Sequence, residues 1–217
     1  SRDWSSDVCS SDLKDLIKAG PMPDFWRAPV DNDIMAGTAN RTSTWKNAGS
    51  NMQVNKVTVE EINDKLLRIA VEATIPTSSP STYVVEYYIY GSGEVVVNST
   101  LKPNASLSDV PEVGMELMIP GEFKNMKWYG RGEHDHYWDR YDGAFVGFYT
   151  STVDEQFFPY PNPQDTGNKM DARWLTMTDD EGFGLMVGGL PTFDFSALYY
   201  TDIQLDDARH PYELTKL

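Results

Sequence analysis

Tyr83-Val84-Val85-Glu86-Tyr87-Tyr88-Ile89-Tyr90 and Glu94-Val95-Val96-Val97-Asn98-Ser99-Thr100 stand on either side of Gly91-Ser92-Gly93. Two runs of β-branched and aromatic residues around a Gly-rich triplet specify a β-hairpin. Such side chains suit a pleated, half-buried surface, and glycine reaches the backbone angles of a tight turn. Similar short runs recur along the chain. Val54–Val59 is β-branched, Leu66–Ile75 alternates weakly, and Met115–Ile119 alternates until Pro120-Gly121 stops it. Ala144–Thr150, Arg173–Thr178, Gly184–Val187 and Phe193–Ala197 are further strand candidates. Many short strands with turn signals between them, and no regular alternation with helices, predict an all-β antiparallel sandwich rather than a parallel α/β sheet.

One or two short helices complete the expectation. Thr38–Ala48 carries Trp45 and is closed by Gly49; Thr201-Asp202-Ile203-Gln204 forms a capping box that opens a helix running to Arg209. Lys14–Gly20 reads as a short amphipathic piece, and Pro21-Met22-Pro23 forces an extended entry. Phe157–Pro163 is too proline-rich for a central strand and is predicted to be a surface loop.

At 217 residues the chain suits one large all-β domain or two small ones. Its formal charge of −15 repels phosphate backbones, which argues against nucleic-acid partners but does not hinder neutral ligands such as sugars. No window approaches the run of about 18 apolar residues that a membrane-spanning helix needs. Aromatic residues make up 12 % of the chain. Rings can stack on sugar faces, but a large β core uses them too, and the core reading comes first.

Arg2 to Leu13 has no apolar period and no signal-peptide pattern. Asp3 to Leu13 reads as one frame of a common sequencing-adapter oligonucleotide. The expectation is that residues 1–13 are an artefactual segment joined to an incomplete domain covering 14–217. Cys9, the single cysteine, then drops out, and with it any disulfide or thiolate chemistry. The compartment, cytoplasmic or periplasmic, is not fixed by such a chain.

Two constellations can carry chemistry. Asp31 and Asp33 project to one side if their segment is extended, and paired carboxylates run glycoside hydrolysis. The simpler reading is a turn, since Asp-Asn-Asp side chains bond nearby backbone N–H groups. The second is Trp128-Tyr129-Gly130-Arg131-Gly132-Glu133-His134-Asp135-His136-Tyr137-Trp138-Asp139-Arg140. Its density of glycines, rings and charges suits a loop on a rigid scaffold. His134 and His136 with Asp135 and Asp139 have a weak metal-ligand flavour, but the third histidine, His210, is far off in sequence. A His–Asp hydrogen bond that shapes the loop is the first reading, and acid–base work the sharper one. Arg131, Asp139 and Arg140 can hold the loop through charge-assisted hydrogen bonds, or can grip sugar hydroxyls. Gly130 and Gly132 lack the third glycine of a dinucleotide fingerprint.

Four colinear blocks resemble the C-terminal domain of family 2 beta-galactosidases. They are Phe25–Asp33, the Trp128–Arg140 motif, Ser151–Trp174 with its Pro163-Gln164-Asp165-Thr166-Gly167-Asn168 segment, and Phe193–Leu198 with Tyr200-Thr201 and His210. The resemblance covers about Lys14 to Leu217. It implies an antiparallel supersandwich of the galactose mutarotase-like kind. It also implies a place at the C-terminal end of a longer enzyme that cleaves β-D-galactosides such as lactose.

By that resemblance the catalytic glutamates, a Mg2+ ion and a monovalent cation belong to a preceding β/α barrel. A rim tryptophan is expected beyond Leu217. The partners implied are the β-galactoside sugar, the catalytic barrel of the parent chain and other copies in a homo-oligomer. Trp26, Arg27, Asp31, Asp33, Arg131, His134, Asp135, Asp139 and Arg140 are the candidates for the sugar-pocket rim or for shaping its loops; no catalytic residue or metal ligand is assigned in this chain.

The sequence departs from the family pattern at Glu133, Asp135, His136 and Trp138, at Asp165 and at Glu112. Two other readings stay open: a stand-alone aldose 1-epimerase-like enzyme using a histidine and a carboxylate, and a non-catalytic carbohydrate-binding module with an exposed flat strip of rings.

Overall fold

The structure is a computed structural model that describes residues 15–217; the segment 1–14, with Cys9 and the adapter-like stretch, lies outside the described residues. The chain divides into two compact units. The first takes residues up to Pro21, Ala28–Asn32 and Leu117–Leu217; the second takes Met22–Arg27 and Asp33–Glu116. The strands are β1 (Ala19–Asp24), β2 (Gln53–Asn63), β3 (Leu66–Ile75), β4 (Ser81–Tyr90) and β5 (Val95–Lys102), followed by β6 (Gly114–Met118), β7 (Asn125–Arg131), β8 (Val146–Thr152), β9 (Lys169–Thr178) and β10 (Gly184–Phe195). The helices are α1 (Asp31–Met35), α2 (Thr38–Thr42) and α3 (Asp202–Asp207), joined by several 3-10 turns. This is the all-β, antiparallel class expected, with a few short helices.

In the second unit β2, β3, β4 and β5 form an antiparallel meander in chain order. The predicted hairpin is there: β4 and β5 flank the 91–93 triplet and pair from Ile89↔Val95 to Thr82↔Lys102. The expected helix over Thr38–Ala48 is shorter, one turn of α2 and then a 3-10 turn at Ser43–Trp45. Trp45 is fully buried against Phe25, which also meets Tyr83 edge-on at 5.8 Å. These rings close one end of the sheet. Edge-to-face contacts of this kind add to the area they bury.

In the first unit the strand order is β10-β9-β7-β8. Met126 and Trp128 of β7 turn inward onto Phe123, Val153, Leu175, Met177 and Phe195. Ala172 is buried as well, so the in–out alternation of β9 slips by one residue between Ala172 and Leu175. The order has a consequence for the loops. β8 ends opposite Asn125, whereas β9 pairs from the other end of β7, with Trp174 opposite Tyr129. Residues 153–168 must therefore travel back along the sheet, and they arrive beside the connection from β7 to β8. The expected capping box is present: the Thr201 hydroxyl accepts from the Gln204 N–H while the Gln204 side chain accepts from the Thr201 N–H. No helix of the described residues is long and apolar enough to cross a membrane.

Candidate functional site

The Trp128–Arg140 motif is not a loop throughout. Its first four residues complete β7, and the turn begins only at Gly132. Apolar Trp128 and Tyr129 alternate across the sheet, one inward and one outward, as strand residues do. Gly132 has φ 48°, and a Cβ there would lie 2.6 Å from the Ala144 Cβ. Both facts require glycine. Gly130 lets the backbone of Ala172 approach, since its Cβ would stand 2.8 Å from the Ala172 Cα.

Beyond Gly132 the two histidines part. The His134 side chain is 89 % exposed and lies 3.5 Å from the Glu133 carboxylate. His136 is 2 % exposed, and its Nε2 lies 3.0 Å from the carbonyl oxygens of both Arg140 and Tyr141. Carbonyls only accept, so Nε2 carries a proton and donates. Among the described residues the expected His–Asp bond does not form; backbone carbonyls take its place. Nδ1 is buried with no partner among the described residues. Among the described residues no group of three or more His, Cys, Asp or Glu side chains could hold a metal ion.

Asp135 accepts from Arg140 at 3.1 Å and from the Tyr160 hydroxyl at 3.5 Å. Asp139 is exposed. His136 and Asn168 exchange two hydrogen bonds of 2.8 Å, from the His136 N–H to the Asn168 carbonyl and from the Asn168 amide to the His136 carbonyl. The Asp165 N–H donates to the Ala28 carbonyl, the Asp31 N–H reaches the Gln164 side chain at 3.4 Å, and the Ala28 N–H donates to Asp202. Segments around residues 28–31, 134–140, 160–168 and 202 are thus knitted together. The first three lie in blocks that carry the family resemblance, and Asp202 directly follows Thr201 of the fourth.

Arg131 does what a loop-holding arginine was expected to do, with a partner the sequence did not single out. Its Nε donates to Asp171 at 2.6 Å, and its terminal nitrogen donates to the Ala144 carbonyl at 2.8 Å. The Tyr141 hydroxyl donates to the same Asp171 oxygen at 2.6 Å, and the Arg131 guanidinium lies 3.8 Å over the Tyr141 ring. Tyr141 in turn stacks on Trp138, which is 79 % exposed. Asp171 adopts φ 52°, uncommon outside glycine but tolerated by Asp and Asn. Its carboxyl is held below the usual carboxylate range by the Tyr141 hydroxyl first and Arg131 second.

A depressed carboxylate stabilises the native state above its unfolded pKa, and that contribution is lost as pH falls through the lower native value. Asp171→Asn should therefore cost about 1–2 kcal/mol at neutral pH and flatten the acid limb of unfolding. Acid titrations of wild type and variant that superimpose would refute this.

The remaining candidates lie elsewhere. Asp31 and Asp33 are in α1, where residues i and i+2 do not share a face. The extended geometry that would have aimed them together is not formed. Asp33 pairs with Arg27 at 2.7 Å. Trp26 is 3 % exposed. Sequence reasoning missed Asp171, Tyr141 and Lys169. Lys169 is 1 % exposed, donates to the Gly167 carbonyl at 3.0 Å and sits 5.7 Å from the Trp128 ring.

Tyr129 and Phe148 of neighbouring strands stack on each other at 4.6 Å with 19° between planes, which covers one face of each ring; Phe148 is still 75 % exposed.

Antiparallel sheets carrying a loop cluster tied by backbone and ion-pair bonds define an all-β domain with a structurally held surface. The family model described as beta galactosidase small chain matches residues 5–217. The chain belongs to that family. It is 40 % identical over 200 residues to a beta-galactosidase of Priestia megaterium (strain DSM 319 / IMG 1521), covering 92 % of this chain and 19 % of that protein. Beta-galactosidases of Streptococcus thermophilus and Lactobacillus delbrueckii subsp. bulgaricus are 34 % and 31 % identical, over 92 % and 93 % of this chain and 20 % of each relative. The chain spans about a fifth of the length of these relatives.

Proposed function

We propose that the chain is a C-terminal portion of a beta-galactosidase that hydrolyses terminal β-D-galactosides such as lactose with retention. The observation that carries this is the pairing of near-complete coverage of this chain with about one-fifth coverage of relatives named beta-galactosidase. In this reading the domain packs on the parent's catalytic barrel, completes the rim of the sugar pocket and supports contacts between copies. The knitted loop cluster supports a positioning role, because Asp135, Arg140, Asn168 and the His136 Nε2 bond one another or backbone. The Mg2+ ion and the monovalent cation are assigned to the barrel, whose residues this chain does not contain.

Residues 1–217 alone should give no cleavage of a chromogenic galactoside above the buffer rate. The same chain, grafted in place of the matching fifth of the Priestia megaterium relative, should yield an active chimera. Cleavage by the isolated chain, or a folded but inactive chimera, overturns the reading. A polarimetric mutarotation rate above buffer would instead favour the epimerase; its histidine and carboxylate would have to meet in one cleft. The pocket lined by Ile203, Asp207 and Glu213 has no histidine in its wall.

A further inference from the structure

The sheet β2–β5 has two unlike faces. On one, Arg68 bonds Glu86 and, at 3.1 Å, Glu60, while Lys56 pairs with Glu72 at 3.6 Å. These are cross-strand pairs of the kind a solvated face carries. On the other, the register sets Val59, Ile69, Tyr87 and Val97 in one row across all four strands. Val57 and Val71 lie in the next row, and Ile89 pairs with Val95. The face is covered at one end only: Ala73, Ile75, Tyr83 and Val85 are at most 3 % exposed. Along the same face Val57, Val59 and Val95 are 55 %, 62 % and 53 % exposed. The apolar surface is therefore continuous with a core and stops being covered midway.

We propose that the exposed part of this face is covered by an apolar β-layer supplied by the remaining polypeptide of the beta-galactosidase; this rests on reading the chain as part of that longer enzyme. The length supports it, since about four-fifths of each relative lies outside the match. The chemistry of the face selects the occupant. Its exposed side chains are mainly valines, with the polar Glu61 and Ser99 confined to the two edge strands, so it lacks the convergent polar groups a ligand pocket needs. Flat rows of Val and Ile are what a second sheet packs on, about 10 Å away.

The test uses the full chain with Cys9→Ser, alone and grafted into the Priestia megaterium relative. Single cysteines replace Val59 or Val97 on the apolar face and Thr58 or Asn98 on the polar face. Maleimide modification at each site is followed by peptide mass spectrometry. In the isolated chain Val59→Cys should react about as fast as Asn98→Cys; in the chimera it should react about tenfold slower or more, with Asn98→Cys unchanged. Equal rates in the chimera overturn the proposal. Protection in the isolated chain that grows with concentration also overturns it, assigning the face to a second copy. Galactoside cleavage is scored separately: an inactive chimera with Val59→Cys protected sinks the functional reading and leaves this one standing.

Discussion

Trp128→Ala should lower the unfolding free energy by about 4 kcal/mol, because a large ring is removed from a packed site that cannot collapse around the gap. Trp128 is fully buried, stacks on Tyr149 at 5.4 Å and meets Phe195 edge-on at 6.1 Å. Its Nε1 also donates to the Arg131 carbonyl at 3.3 Å, at the point where β7 gives way to the turn. The ring thus joins the core to the start of the loop cluster. A domain whose whole stability is of the order of 5–15 kcal/mol loses a large share of it. Trp128→Phe keeps most of the apolar area and removes the hydrogen bond, so it should cost only about 1 kcal/mol. Denaturant midpoints of the two variants measure the difference. A Trp128→Ala shift no larger than that of Trp128→Phe would mean that the ring is not the link described.

The class of fold was readable because strand signals depend on neighbours in sequence. β3 runs over Leu66–Ile75 as predicted, and the Gly91-Ser92-Gly93 turn joins β4 and β5 where the flanking residues said it would. The Phe157–Pro163 segment carries no strand, and the Thr201 cap forms. The misses came from residues whose local habit was overruled. Gly184–Val187 and Phe193–Ala197 were expected as separate strands, yet β10 runs from Gly184 to Phe195 with register shifts. Glycines and charges in Gly130-Arg131-Gly132 hid the strand end that pairing with Phe148 and Gly147 enforces. Asp31-Asn32-Asp33 suited a turn, and the chain winds it into the first residues of a helix instead.

The candidate site was legible as a list of segments but not as a set of contacts. The blocks at residues 25–33, 128–140 and 151–174 were singled out as colinear stretches, without contacts between them. Only the return of residues 153–168 along the sheet brings Asn168 to His136 and Asp165 to Ala28. That return follows from β9 joining β7 on the side away from β8, a choice that no local pattern encodes. Arg131 and Arg140 were expected to hold the loop. The partner of Arg140, Asp135, was within the motif; the partner of Arg131, Asp171, was forty residues away on another strand. The diverging histidines show the same limit, since spacing alone does not say that His134 faces water while His136 faces backbone carbonyls.

Lys169→Met should raise stability at neutral pH by up to roughly 3 kcal/mol and remove a pH dependence that the wild type shows between about 8 and 10.5. Burial pushes the Lys169 ammonium down to about 8, with Asp135 opposing the shift. A lysine depressed in this way leaves the native state holding fewer protons than the unfolded chain in that window. Unfolding free energy therefore rises with pH there, as the buried group sheds the charge whose desolvation was costing stability. Below about 8 both states carry the proton and the penalty is constant. Methionine has nearly the same length and no charge, so it keeps the packing near Trp128 and loses only the bond to the Gly167 carbonyl. Tyrosines and other lysines titrate in the same range, so the quantity to measure is the difference between wild type and variant at each pH. That difference should shrink toward zero as pH approaches 10.5. Adding Asp135→Asn in the wild-type background removes the opposing carboxylate and should move the onset of the rise below pH 8. A difference that stays constant from pH 7 to pH 10.5 would show that Lys169 is charged throughout and that the loop cluster solvates it better than its burial suggests.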